Sequence, residues 1–121
     1  MAKILLVDDD PDVRHLMGLT LKQEGFEVDT ASCKEEALNK LQHERPSVVL
    51  LDVLLSGSDG RELCREIKAT VKTSDIPVIM FSGHPSAGIK FESYGANDFI
   101  AKPVSMKDLL HRLNRQIKTI K

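Results

Sequence analysis

Four short apolar runs in this chain each lead into residues able to do chemistry: ILLV into Asp8, Asp9 and Asp10, VVLL into Asp52, VIMF into Ser82, and FIA into Lys102. The first three runs have no polar alternation, the pattern of strands covered on both faces. Strands of that kind belong to a parallel sheet. In an open parallel sheet the ligand crevice lies outside the carboxyl ends of the strands, so residues far apart in sequence converge on one cleft. Converging carboxylates, a hydroxyl and an ammonium suit phosphoryl chemistry.

The segments between these runs complete the pattern. Residues 3–7 (KILLV) predict a buried strand, and Asp10-Pro11 supplies an N-cap followed by the residue best tolerated in the first helical turn. Val13, Leu16, Met17 and Leu21 recur at helical spacing to about Glu24, where Gly25 offers a stop. Phe26 to Thr30 reads as the next strand. Ser32 with Glu35 forms a capping-box pattern ahead of a helix with Ala37, Leu38 and Leu41 as its stripe, and Pro46 closes it. A strand at Ser47 to Leu51, the turn Ser56-Gly57-Ser58-Asp59-Gly60 and a helix with Leu63, Cys64 and Ile67 follow. Then come a strand at Ile76 to Phe81, a helix over 86–94, a strand at Asp98 to Ala101, and a last helix from Ser105 to about Ile120 burying Leu109, Leu110, Leu113 and Ile117. Five strands alternating with five helices predict a doubly wound α/β fold on a five-stranded parallel sheet, with right-handed crossovers.

At 121 residues the chain is expected to form one domain over 1–121. With 17 basic and 18 acidic residues its net charge is −1, so no overall field draws it to nucleic acid or to an anionic membrane. The apolar runs are too short to span a bilayer, and MAKILLVDDD lacks the features of a signal peptide. A soluble cytoplasmic protein is expected, with Cys33 and Cys64 as reduced structural thiols because they have no metal-ligand spacing.

Taken singly, the cleft residues have ordinary readings. Asp10 caps a helix and Asp12 complements its dipole, a strand-end Asp can cap a turn, Ser82 can form one, and a Lys before Pro is usually solvated. Asp8 and Asp9 are left without such a role. If Asp9 and Asp52 approach to about 4 Å, their repulsion is on the order of 4 kcal/mol at an effective dielectric near 20, which a hard cation would relieve. Mg2+ suits a shallow site of this kind, since it needs one or two carboxylates and keeps several waters. Asp52 can also act as a nucleophile toward phosphorus, with Lys102 neutralising phosphate charge and Ser82 donating to one of its oxygens. Pro103 restricts Lys102 to extended geometry and permits a cis peptide.

ILLVDDD, LLDVLLSGSDG around Asp52, IPVIMFSG to Ser82 and GANDFIAKP around Lys102 stand in an order and spacing that resemble the receiver domain of two-component response regulators, over essentially the whole chain. The resemblance implies a flavodoxin-like topology and a signalling module that takes a phosphoryl group on Asp52 from a histidine kinase or phosphotransfer protein. It further implies Mg2+ held by Asp9, Asp52 and the Leu54 carbonyl, with Asp8 acting through water. Ser82 and Phe99 would be the switch pair, and Lys102 would contact the phosphate. A downstream protein target and a monomer or weak homodimer are the expected partners and state. Ser56, Gly83 and Val104 depart from the residues common in that family. Two other classes fit less well. A small haloacid-dehalogenase-type phosphatase would share Asp8-x-Asp10 but has Asp12 against it, and a flavodoxin-like cofactor binder would need a phosphate loop where three carboxylates stand.

Overall fold

The computed structural model describes residues 2–55, 57–84 and 91–119. In chain order the elements are β1 (Lys3–Val7), α1 (Pro11–Gln23), β2 (Glu27–Ala31), α2 (Lys34–His43), β3 (Val48–Asp52), β4 (Leu54–Leu55), β5 (Ser58–Asp59), α3 (Gly60–Ala69), β6 (Val78–Ser82), a 3-10 turn (Phe91–Tyr94), β7 (Asp98–Ala101) and α4 (Met106–Thr119). Five strands form one sheet in the order β2-β1-β3-β6-β7, and every neighbouring pair is parallel. β4 and β5 make a separate antiparallel hairpin between β3 and α3. The chain moves one way from β1 to β2 and the other way from β1 to β3, so the sheet's switch point lies between the ends of β1 and β3.

Alternate residues of each central strand enter two different cores. Leu5, Val7, Val49, Leu51, Val78 and Met80 pack with Ala37 and Leu41 of α2 and Leu63 and Ile67 of α3. Ile4, Leu6, Val48, Leu50, Ile79 and Phe81 pack on the other face with Leu21 of α1 and Leu109 and Leu113 of α4. Both faces are therefore covered, which explains why these strands carry no polar alternation.

Helix ends follow local chemistry. Asp10 caps α1 by accepting from the Asp12 N–H at 2.9 Å, with Pro11 in the first turn. Gly25, at φ +98°, ends α1 in a Schellman arrangement: Gly25 N–H bonds Lys22 O at 3.0 Å and Phe26 N–H bonds Leu21 O at 3.2 Å. Leu16 is 64% exposed, contrary to its place in the expected stripe. The buried line of α1 runs through Gly18 and the expected Leu21, with the expected Met17 packed beside it.

Other boundaries differ by small amounts. α2 is capped by Cys33 without a side-chain bond, and Glu36 rather than Glu35 reaches back to the Ser32 N–H at 2.5 Å, because the helix begins one residue later than the capping-box reading places it. β6 begins at Val78 rather than Ile76, since Pro77 has no N–H to give a ladder. Asp52 and Ser82 are the last residues of their strands, opposite Phe81 and Ala101 respectively, rather than the first residues of loops. Four helices are present among the described residues where five were expected. Residues 86–90 of the expected helix over 86–94 lie outside those described, and Phe91–Tyr94 form a single 3-10 turn followed by Gly95 at φ +89°.

Candidate functional site

β1 and β3 deliver their C-terminal carboxylates to the switch point side by side, as their pairing of Val7 with Leu51 requires. Carboxylate oxygens of Asp8, Asp9 and Asp52 all lie within 4.8 Å of one another. Asp8 is fully buried and Asp52 is 5% exposed, whereas Asp9 faces solvent. Lys102, arriving from the end of β7, places Nζ 3.4 Å from Asp52 Oδ2 and 3.7 Å from Asp8 Oδ2. Its ammonium also lies 5.1 Å from the Phe81 ring centroid, within cation–π reach. The Lys102–Pro103 peptide is cis.

Backbone groups hold the carboxylates in place. Asp8 Oδ1 accepts from the Asp10 N–H at 2.9 Å, and the Asp8 carbonyl accepts from Arg14 Nη1 at 2.7 Å. Asp52 Oδ1 accepts from the Leu54 N–H at 3.3 Å. Leu54 thus joins the cluster through its N–H, while its side chain is 61% exposed. Ser82 is buried; its Oγ accepts from the His84 N–H at 3.0 Å and its carbonyl accepts from the Lys102 N–H at 2.9 Å. Phe99 lies outside this group. It sits on β7 opposite Met80, partly buried against the core shared with α2 and α3.

Three carboxylates face one ammonium here, and the shortfall of positive charge has a visible consequence. Burial pushes the Asp8 carboxyl up to about 6, with the nearby Asp52 and Asp9 charges adding to it against the Asp10 hydrogen bond and Lys102. Asp8 Oδ2 is buried and makes no hydrogen bond. An all-oxygen donor set with an orphaned buried oxygen and uncompensated negative charge fits a hard divalent cation such as Mg2+.

Two contributors stand outside the expected site residues, although one of them closes the motif LLDVLLSGSDG. Gly60 lies against the backbone of the acceptor strand: a Cβ built there would fall 2.1 Å from the Asp52 carbonyl oxygen, and the Gly60 N–H donates to Val53 O at 2.6 Å. Only glycine fits. Arg14 is the other, since its hold on the Asp8 carbonyl depends on α1 packing back across the end of β1. Spacing from the capped start of α1 is the one clue that the sequence offers for it.

The family model for the response regulator receiver domain matches residues 4–114. The chain belongs to the response regulator receiver domains. Among the receiver's relatives, the probable transcriptional regulator ycf27 of Guillardia theta is 38% identical over 118 residues, covering 96% of this chain and 45% of that protein. The chain spans about half the length of the curated relatives it matches. A putative response regulator from Chloroflexus aurantiacus J-10-fl superposes with a TM-score of 0.91 at 35% identity, over 97% of this chain and 98% of that one. The response regulator TrrA from Thermotoga maritima, solved in complex with Mg2+-BeF, does so with a TM-score of 0.87 at 31% identity, over 96% and 99% of the two chains. The receiver is therefore a signalling module by family. None of its described helices is long and apolar enough to cross a membrane.

Proposed function

We propose that this receiver is a phosphorylation-dependent switch that accepts a phosphoryl group on Asp52, in a Mg2+-dependent reaction, from a histidine kinase or a phosphotransfer protein. The observation that carries this reading is the seat of Asp52: a nearly buried carboxylate whose Oδ2 lies 3.4 Å from the Lys102 ammonium, inside a cluster of three acids at the switch point. In the transfer, an Asp52 oxygen forms a bond to phosphorus as the bond from phosphorus to the donor imidazole nitrogen breaks and its electron pair returns to the ring. The result is an acyl phosphate. Lys102 neutralises charge on the incoming group, and the Ser82 hydroxyl, whose oxygen already accepts from His84, keeps its proton to donate. Asp9, Asp52 and the Leu54 carbonyl would hold Mg2+, with Asp8 acting through water, and the bound ion would supply countercharge to the phosphoryl oxygens. The Mg2+-BeF complex of the Thermotoga maritima relative supports that part of the reading.

Loading then acts through Ser82 and Phe99 to change the surface offered to a downstream protein, with the receiver a monomer or weak homodimer in the cytoplasm, where its two free cysteines stay reduced. The chain catalyses at most its own phosphorylation and dephosphorylation. Incubation with an acyl-phosphate donor and Mg2+ should add one base-labile phosphoryl mass. Asp52→Asn should take none, Lys102→Met and Ser82→Ala should slow loading without moving it elsewhere, and full labelling of Asp52→Asn would overturn the assignment.

A further inference from the structure

Tyr94 is the single tyrosine of a chain that has no tryptophan. It ends the 3-10 turn, packs on the core shared with α2 and α3, and lies beneath two guanidinium groups of α3, with Arg65 Cζ 5.3 Å and Arg61 Cζ 5.8 Å from its ring centroid. Both lie within the distance of about 6 Å at which a cation is drawn to an aromatic face. Arg61 is also clamped from the other side. Its Nε lies 3.0 Å from both Asp59 carboxylate oxygens, and its Nη2 lies 2.6 Å from Oδ2. Hydrogen bonds to Asp59 first and to the Tyr94 side chain second hold the Arg61 guanidinium above its ordinary value.

Asp59 in turn is joined to the acceptor residue. It pairs across the β4–β5 hairpin with Leu54, whose N–H donates to Asp52 Oδ1 at 3.3 Å. Behind the hairpin, α3 begins at Gly60 with no space for even a methyl group against the Asp52 carbonyl. The Gly60 N–H also donates to Val53 O at 2.6 Å, so the start of α3 is held against the backbone that follows Asp52.

We propose that Arg61 is a positioning residue that carries the loading state of Asp52 to the Phe91–Tyr94 turn, through the Asp59–Arg61 clamp and the Tyr94 ring, by a route separate from Ser82 and Phe99. The proposal rests on the reading of Asp52 as phosphoacceptor. A phosphoryl group changes the carboxylate that accepts from Leu54. Leu54 and Asp59 move together as hairpin partners, Arg61 follows Asp59 because a bidentate ion pair fixes both distance and plane, and the cation shifts over the ring. Loading thereby biases the turn between two arrangements, and the Tyr94 ring reports which is populated.

Because Tyr94 is alone, its emission reports this turn without labelling. The intact chain is treated with an acyl-phosphate donor and Mg2+, and tyrosine emission and phosphoryl mass are read on the same samples. Loading changes the emission of the wild type. Arg61→Met loses most of that change while loading as the wild type does, and so does Asp59→Asn, which keeps an oxygen to cap α3 but loses the ion pair. Arg65→Met, which removes a cation from the ring but not the clamp, retains it. An unchanged wild-type emission on a fully loaded sample overturns the proposal. So does a full change in Arg61→Met and Asp59→Asn, an equal loss in Arg65→Met, or failure of Arg61→Met to load, since a residue that only transmits leaves acceptance intact. A wild type whose mass never rises fails the Asp52 reading itself, and that failure is seen in the mass alone.

Discussion

Asp8 is the most costly residue of the site. Burial pushes its carboxyl up to about 6 from an ordinary 3.8, so the folded state holds the proton more tightly than the unfolded one. The stabilisation this gives is fully present below the unfolded value and is lost as pH rises through about 6. Above that, the ionised group costs the metal-free fold about 3 kcal/mol, from the separation of the two values. Asp8→Asn keeps an oxygen for the Asp10 N–H and removes the charge. It should raise metal-free stability at pH 7.5 by about 1–3 kcal/mol in urea unfolding while weakening Mg2+ binding. A variant less stable than the wild type at that pH would contradict this account of Asp8.

Among the elements, α3 is fastened at both ends. At its start Asp59 accepts from the Arg61 N–H at 2.8 Å and Gly60 meets the end of β3. At its end Lys68 donates to Ile76 O at 2.7 Å and to Asn97 Oδ1 at 2.8 Å, and its stem runs beneath Gly95, where a Cβ would fall 2.8 Å from Lys68 Cγ. Asn97 Oδ1 also accepts from the Val78 N–H at 2.9 Å, at the first residue of β6. One amide thus ties α3, β6 and the approach to β7. Asn97→Ala leaves a donor at the buried start of β6 and an ammonium without that oxygen, and should cost about 1–3 kcal/mol in urea unfolding. A loss within measurement error would show that water replaces the amide at no cost.

For the whole molecule, the acid cluster links metal, pH and stability. A ligand that binds only the folded state stabilises it by mass action, about 1.4 kcal/mol at ten times its Kd. Because the cation competes with the proton on Asp8, Mg2+ should raise the melting temperature at pH 7.5 and much less at pH 5, on the two sides of the Asp8 titration. Asp9→Ala should flatten the response at both. Thermal melts with and without Mg2+ at the two pH values check this, and an equal Mg2+ effect at pH 5 and 7.5 would separate the metal from Asp8.

Much of this architecture is written in local chemistry. Strands covered on both faces must be uniformly apolar, Asp10-Pro11 and Gly25 satisfy helix ends within a turn of themselves, and a parallel sheet must gather the ends of its strands, which is why the pattern alone directs Asp52 and Lys102 to the same end of the sheet. The pattern does not set distances between elements. Whether Leu16 faces core or solvent depends on how α1 rotates on the sheet, and helical spacing alone allows a stripe to lie one position either side. Gly60 looks like any turn glycine until the Asp52 carbonyl is placed against it. The Arg61 clamp and its contact with Tyr94 join residues 33 positions apart, a separation that follows from 61 and 94. Only packing brings them together, because contacts across layers depend on the relative placement of elements, which no local pattern encodes.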